Sequence, residues 1–246
     1  MDVLLNTSLS ALLYSAVAKE SISCTQPPDA LQTLNKHTPL IVWGSLLDQH
    51  LGIPRIQRSL TLLVPDAELD ALSATLTSLG LPLATLPNFL LRSQGDLLRC
   101  GRLHDATQHT DLGGIEHLHL VPKSLPAYIQ EELEQTSFLR TSMYVPRTSA
   151  VYAGIFRMML KYRLHCVERY RLESDLELLV GYNLLRQEKG ETYDDMDKRR
   201  EHAVERIRSW GRNGEWRKEE EWVEDLLVAI VKGEQSESDA PSLGTA

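Results

Sequence analysis

Hydrophobic and polar positions follow different rhythms on either side of residue 124. Between Leu40 and Val121 the apolar residues come in short runs of strand length. Leu40-Ile41-Val42-Trp43 is continuous and partly β-branched, as a buried strand is, and residues 59–64 read as a second strand. Residues 96–103 and 114–121 read as two further strands around a polar loop at 104–113, the later one alternating through Glu116-His117-Leu118-His119. Helical spacing fills the gaps. Leu4, Leu5, Leu9, Leu12, Leu13, Ala16 and Val17 mark a helix over residues 3–20, and a short helical piece at 29–34 leads into the first strand. Asp66 stands as an N-cap before the stripe Leu69, Leu72, Leu76 and Leu79, which Gly80 ends.

After the prolines at 122 and 126 the period is helical. The pattern predicts helices over 125–139, 149–170, 172–185, 193–210 and 215–232, with a break at Tyr144-Val145-Pro146-Arg147. The last residues are rich in Ser, Glu, Asp, Pro and Gly and have little to bury. The expected organisation is an α+β chain: a sheet-bearing domain over 1–124, a helical domain over 125–232 and a disordered tail over 233–246.

Composition narrows the classes of function. The chain has 246 residues, 42% hydrophobic and 24% charged, ordinary for a globular protein with a sizeable core. A net charge of −8 argues against a duplex nucleic-acid binder, which carries a basic field, but leaves a small nucleotide open. Cys24, Cys100 and Cys166 are too widely spaced for a zinc knuckle and odd in number, so free thiols in a reducing compartment are expected. Apolar runs stop short of a membrane span, and Asp2 replaces the basic start of a signal peptide; a cytoplasmic or nuclear setting follows as the expectation.

The string from Pro39 to Asp66 sharpens this reading. Strand, Gly44-Ser45, short helix, Gly52/Pro54 turn and second strand follow one another within it. This resembles the core of the nucleotidyltransferase fold of DNA polymerase β-like enzymes, a small mixed sheet with flanking helices. There a Gly-Ser heads a helix, and G-x-x-R-x-T-x-D-x-D opens the next strand. Gly44, Ser45, Gly52 and Arg55 fall on the family's glycine, serine, turn glycine and arginine; Gln57 replaces the threonine. Ser59 and Thr61 stand where the two metal-binding aspartates belong. Alternate strand positions share a face, so an Asp pair there would hold two divalent ions roughly 3.5–4 Å apart. Neutral hydroxyls are weak Mg²⁺ ligands beside carboxylates. The chain is also similar to a group of predicted fungal proteins without an established function, through Trp43-Gly44, Gly52-Ile53-Pro54 and Val64-Pro65-Asp66.

Other constellations are weaker. Asp66, Asp105 and Glu116 are the nearby carboxylates that a relocated metal site would use, although capping and the helix dipole account for Asp66, Glu68 and Asp70. His117 and His119 share a strand face, as two metal ligands do, but no third ligand is set by spacing, and a solvent-facing polar side is the expectation. The basic run around Lys198, Arg199, Arg200, Arg206 and Arg208 is interleaved with acids and reads as a surface salt-bridge network.

Three functions compete at this stage. The resemblance implies a catalytically inactive binding or interaction module, with no cofactor, that engages a protein partner through its helical half or weakly holds a nucleotide at Gly44, Ser45 and Arg55. The alternative is an active, Mg²⁺-dependent nucleotidyltransferase whose acids have moved to Asp66, Asp105 and Glu116. A wholly helical interaction protein is the third.

Overall fold

A computed structural model describes residues 29–86, 88–108, 114–138, 141–186 and 193–240. The helix expected over 3–20 and Cys24 lie outside them. A six-stranded mixed sheet forms the centre, in the order β3-β4-β2-β1-β6-β5. Its strands are β1 (Ile41–Trp43), β2 (Ser59–Val64), β3 (Arg102–Asp105), β4 (His117–Pro122), β5 (Leu133–Phe138) and β6 (Thr141–Pro146). The β2/β4 and β1/β6 pairs are parallel, and the β1/β2, β3/β4 and β5/β6 pairs antiparallel. Strands on this scale exclude the wholly helical reading.

Alternation along β2 and β4 divides the sheet into two faces. Leu60, Leu62, Leu118 and Leu120 are fully buried on one face. There α1 (Asp29–His37) packs on β6, and α3 (Leu69–Ser78) packs on β3 and β4. Each such leucine contributes about 1.5–3 kcal/mol by leaving water. The opposite face carries Ser59, Thr61, His117 and His119, and α6 (Thr148–Met159) and α7 (Val167–Leu179) supply the apolar wall facing it. Trp43, on β1, is half-buried and lies 5.7 Å from the Tyr128 ring.

Several expectations are corrected. Residues 96–103 are not one strand: α4 (Asn88–Gln94) and α5 (Asp96–Arg99) precede a strand that begins only at Arg102. The reason is a remote cap, since the Asp96 backbone N–H donates to the Glu168 carboxylate at 2.7 Å, a partner supplied by α7. Residues 125–138 do not form an α-helix: 130–132 make a single 3₁₀ turn, and β5 pairs with β6 along the edge of the sheet, where cross-strand hydrogen bonding overrides the helical composition of Leu133-Glu134-Gln135. The expected break at 144–147 instead lies largely in β6. The sheet therefore crosses residue 124, where the first domain was expected to end, and one core cluster joins Leu60 and Leu118 to Phe156 and Leu176.

Asp66 does not cap its helix with its side chain; its carboxylate accepts from the Ser124 backbone and hydroxyl instead. The helix expected over 149–170 breaks after Met159, and His165 adopts a left-handed φ of 65° before α7 begins. Beyond α7 follow a π-helical turn (Val180–Leu184), α8 (Tyr193–Arg212) and α9 (Trp222–Lys232). Within the tail expected to be disordered, residues 237–239 form a 3₁₀ turn and Ala240 is buried. The fully buried Arg169 explains this by donating to the Ala240 carbonyl at 2.5 Å.

Candidate functional site

The turn from β1 into α2 (Ser45–His50) opens on a cavity of 310 Å³ between the polar sheet face and helices α6 and α7. Gly44 makes this turn possible. Its φ is +64°, and a Cβ there would sit 3.1 Å from the Thr61 hydroxyl, so a larger residue is both strained and crowded. The Ser45 hydroxyl donates to the Ser59 carbonyl at 3.0 Å and ties α2 to β2.

The register of β2 on β4 decides what metal chemistry the face can support. Ser59 lies opposite His117, and Thr61 opposite His119. The positions at which the nucleotidyltransferase resemblance would place converging carboxylates thus hold hydroxyls and imidazoles. The relocated candidates do not gather here. Asp66 is engaged with Ser124, five residues beyond Thr61 and roughly 16 Å further along the chain. Asp105, half-buried on edge strand β3, accepts from the Thr107 backbone and hydroxyl at 2.9 and 2.6 Å. Glu116 is 3.7 Å from Arg58 on the surface. Among the described residues, no group of three or more His, Cys, Asp or Glu side chains is placed to hold a metal.

Two acids do reach the cavity, and sequence reading missed both. Arg55 sits between them, 3.0 Å from Asp48 and 2.7 Å from Asp175, while Arg171 holds the other Asp175 oxygen at 3.2 Å. Asp48 lies one helical turn after Ser45 on α2, which was legible; Asp175 arrives on α7 from 120 residues away. Burial lifts the Asp48 carboxyl to about 6, and Asp175 pushes the same way, so the Arg55 and Arg171 guanidiniums offset the rise only in part. Burial also works against the Arg55 charge, but Asp175 first and Asp48 second hold it more firmly protonated than usual.

His119 corrects the expected solvent-facing assignment. It is 7% exposed, its ring donates to the Leu98 backbone, and Nε2 has no hydrogen-bond partner. A Cβ at Gly101 would approach that nitrogen to 2.4 Å, so only glycine fits beside it. Burial lowers the imidazole to about 4.

These two groups make stability depend on pH in opposite senses. Between 6.5 and about 4 the unfolded chain binds a proton at His119 that the folded one refuses, so acidification through this window destabilises by about 3 kcal/mol. Asp48 is the reverse: its folded pKa of about 6 exceeds 3.8, so its contribution is present below 3.8 and is lost as pH rises through 6. His104, whose imidazole burial also lowers, acts in the same sense as His119. Asp48→Asn is expected to show a urea midpoint that falls more steeply from pH 7 to 4.5 than the wild type's, and His119→Gln one that falls less steeply; identical profiles in all three proteins would disprove the assignment.

No family model matches this chain, and no curated protein matches it. Among solved structures, the solution structure of the antibiotic-resistance factor ANT(2'')-Ia is similar, with 14% identity and a TM-score of 0.34 over 83% of this chain and 98% of that one. No described helix is long and apolar enough to cross a membrane.

Proposed function

We propose that this chain is a nucleotidyltransferase-like binding module that does not itself carry out metal-dependent nucleotidyl transfer. The observation that carries the reading is the run of Ser59, Thr61, His117 and His119 across paired strands, where such transfer needs carboxylates. The engagement of Asp66, Asp105 and Glu116 elsewhere supports it against the alternative of relocated acids. Asp48 and Asp175 do lie in the cavity, but both are spent on neutralising Arg55.

Nucleotide binding at this cavity is weak and independent of Mg²⁺. Gly44 lets a phosphate approach the backbone, but the Ser45 hydroxyl is already given to Ser59 and the Arg55 charge to two acids. The affinity expected for ATP is high-micromolar to millimolar, about −4 to −6 kcal/mol. A protein partner engages the helical half, where Leu164, Val167 and Tyr170 are exposed, in a cytoplasmic or nuclear setting that suits the free thiols of Cys100 and Cys166.

Calorimetry with ATP, with and without Mg²⁺, tests the reading. The expected result is weak heat indifferent to the metal and reduced by Arg55→Gln; tight, strictly Mg²⁺-dependent binding would overturn it. Gly44→Val is expected to weaken binding as well, but its strained backbone makes Arg55→Gln the cleaner variant.

A further inference from the structure

A second pocket, of 460 Å³, lies between the π-helical turn and α8, away from the Gly44 cavity. Arg186, Arg199, His202 and Arg206 line it beside Leu184, Leu185 and Ala203, and no carboxylate is among the described lining residues. We propose that this pocket binds a compact phosphate-bearing anion, of the size of a di- or triphosphate.

The basic run on α8 divides into two populations. Arg200 is 3.2 Å from Asp197 and Arg212 is 2.5 Å from Glu205, both exposed surface pairs of the kind expected of a solvated helix. Arg199 and Arg206 instead turn toward the end of the preceding helix. Arg199 donates to the Leu185 and Arg186 carbonyls, and Arg206 to the Asn183 carbonyl at 3.1 Å with its guanidinium 5.3 Å from the centre of the Trp210 ring. The Asn183 carbonyl employs only some of the five N–H donors of the Arg206 guanidinium, and its planar fork matches phosphate oxygens. Glu215 lies within electrostatic reach of Arg206, and its carboxylate accepts from Ser149 at 2.5 Å.

The pocket also holds unfavourable charge. Burial lowers the Arg206 pKa, and Arg186 pushes it the same way, against the pull of Tyr152 and Glu215. Two guanidiniums that repel each other in a partly buried pocket are relieved by an anion between them. The backbone is unusual at the same place. Residues 180–184 form a π-turn, an irregularity frequent at functional sites, and Arg186 is held at φ 50° without being glycine. With a net charge of −8 the whole chain repels polyanions, so the pocket suits a small phosphate compound rather than a nucleic-acid polymer.

Calorimetric titration with inorganic pyrophosphate at low ionic strength tests the proposal, with ATP in a parallel arm. Saturable binding is expected. Arg206→Gln should weaken it at least tenfold, whereas Arg200→Gln, on the exposed face of α8, leaves it unchanged. Arg206→Lys, with its melting curve measured, keeps a cation and is expected to retain part of the affinity in a folded protein. Tighter binding of ATP assigns a nucleoside phosphate; equal binding assigns the phosphate groups alone. No saturable binding up to 10 mM of either probe overturns the proposal. An equal loss in Arg206→Gln and Arg200→Gln also overturns it.

Discussion

Arg157→Met is expected to destabilise the fold by about 3–5 kcal/mol and to lower Tm by about 10 °C. The side chain is 8% exposed and forms the centre of a closed network. It reaches Glu132 at 2.5 Å and Glu220 at 2.6 Å, and Arg217 joins Glu132 from the other side at 2.7 Å. Glu132 lies just before β5 and is 3% exposed. Burial alone would raise its carboxyl, but hydrogen bonds from Arg157 and Arg217 outweigh that and hold it below the usual range. Removing Arg157 leaves two carboxylates with part of their compensation gone in a poorly hydrated place, and this is the costly half of a buried ion pair. The network joins the start of β5, helix α6 and the segment before α9, so its loss is felt across the sheet edge. Arg157→Lys keeps the charge but not the fork and should fall between wild type and Met. A melt unchanged in Arg157→Met would show that these charges are solvated rather than mutually satisfied.

Arg169→Met is expected to cost a similar 3–5 kcal/mol and, in addition, to release the end of the chain. Arg169 has no exposed surface. It donates to the Met159 carbonyl at 3.0 Å, to the Ala240 carbonyl at 2.5 Å and to Glu173 at 2.8 Å. The substitution leaves two buried carbonyls without this donor and Glu173 without this partner. The checking measurement is limited proteolysis followed by mass spectrometry. In the wild type, residues 234–240 should resist cleavage; in Arg169→Met, cuts near Gly233 should come first. Early cleavage at Gly233 in both proteins would show that the Ala240 contact does not hold the segment.

Both networks mark where local reading stopped. Residues 125–139 carry Gln130-Glu131-Glu132-Leu133-Glu134, good helix formers, and read as a helix. What draws residues 133–138 into a strand is the neighbouring β6, itself held against β1. The tail at 233–240 lacks large apolar residues, and its anchor is an arginine 71 positions earlier. His119 sits in a clean polar–apolar alternation, which ordinarily marks a solvent-facing side, but the segment from Leu98 to Gly101 closes against its ring.

Determined by the sequence alone were the elements with a strong local signal. These are β1 and β2, the Gly44 turn that follows β1, and the leucine period of α3. The replacement of the expected aspartates by Ser59 and Thr61 was legible there too, because residue identity needs no coordinates. Tertiary structure alone decided the rest. Parallel pairing set His119 beside Thr61, α7 brought Asp175 to Arg55, and helix packing buried Arg157 and Arg169 among their partners. The physical reason is common to all of these. A strand or helix is favoured by its own residues at short range, whereas the burial and pairing of a charge depend on groups brought close only after the chain has closed on itself.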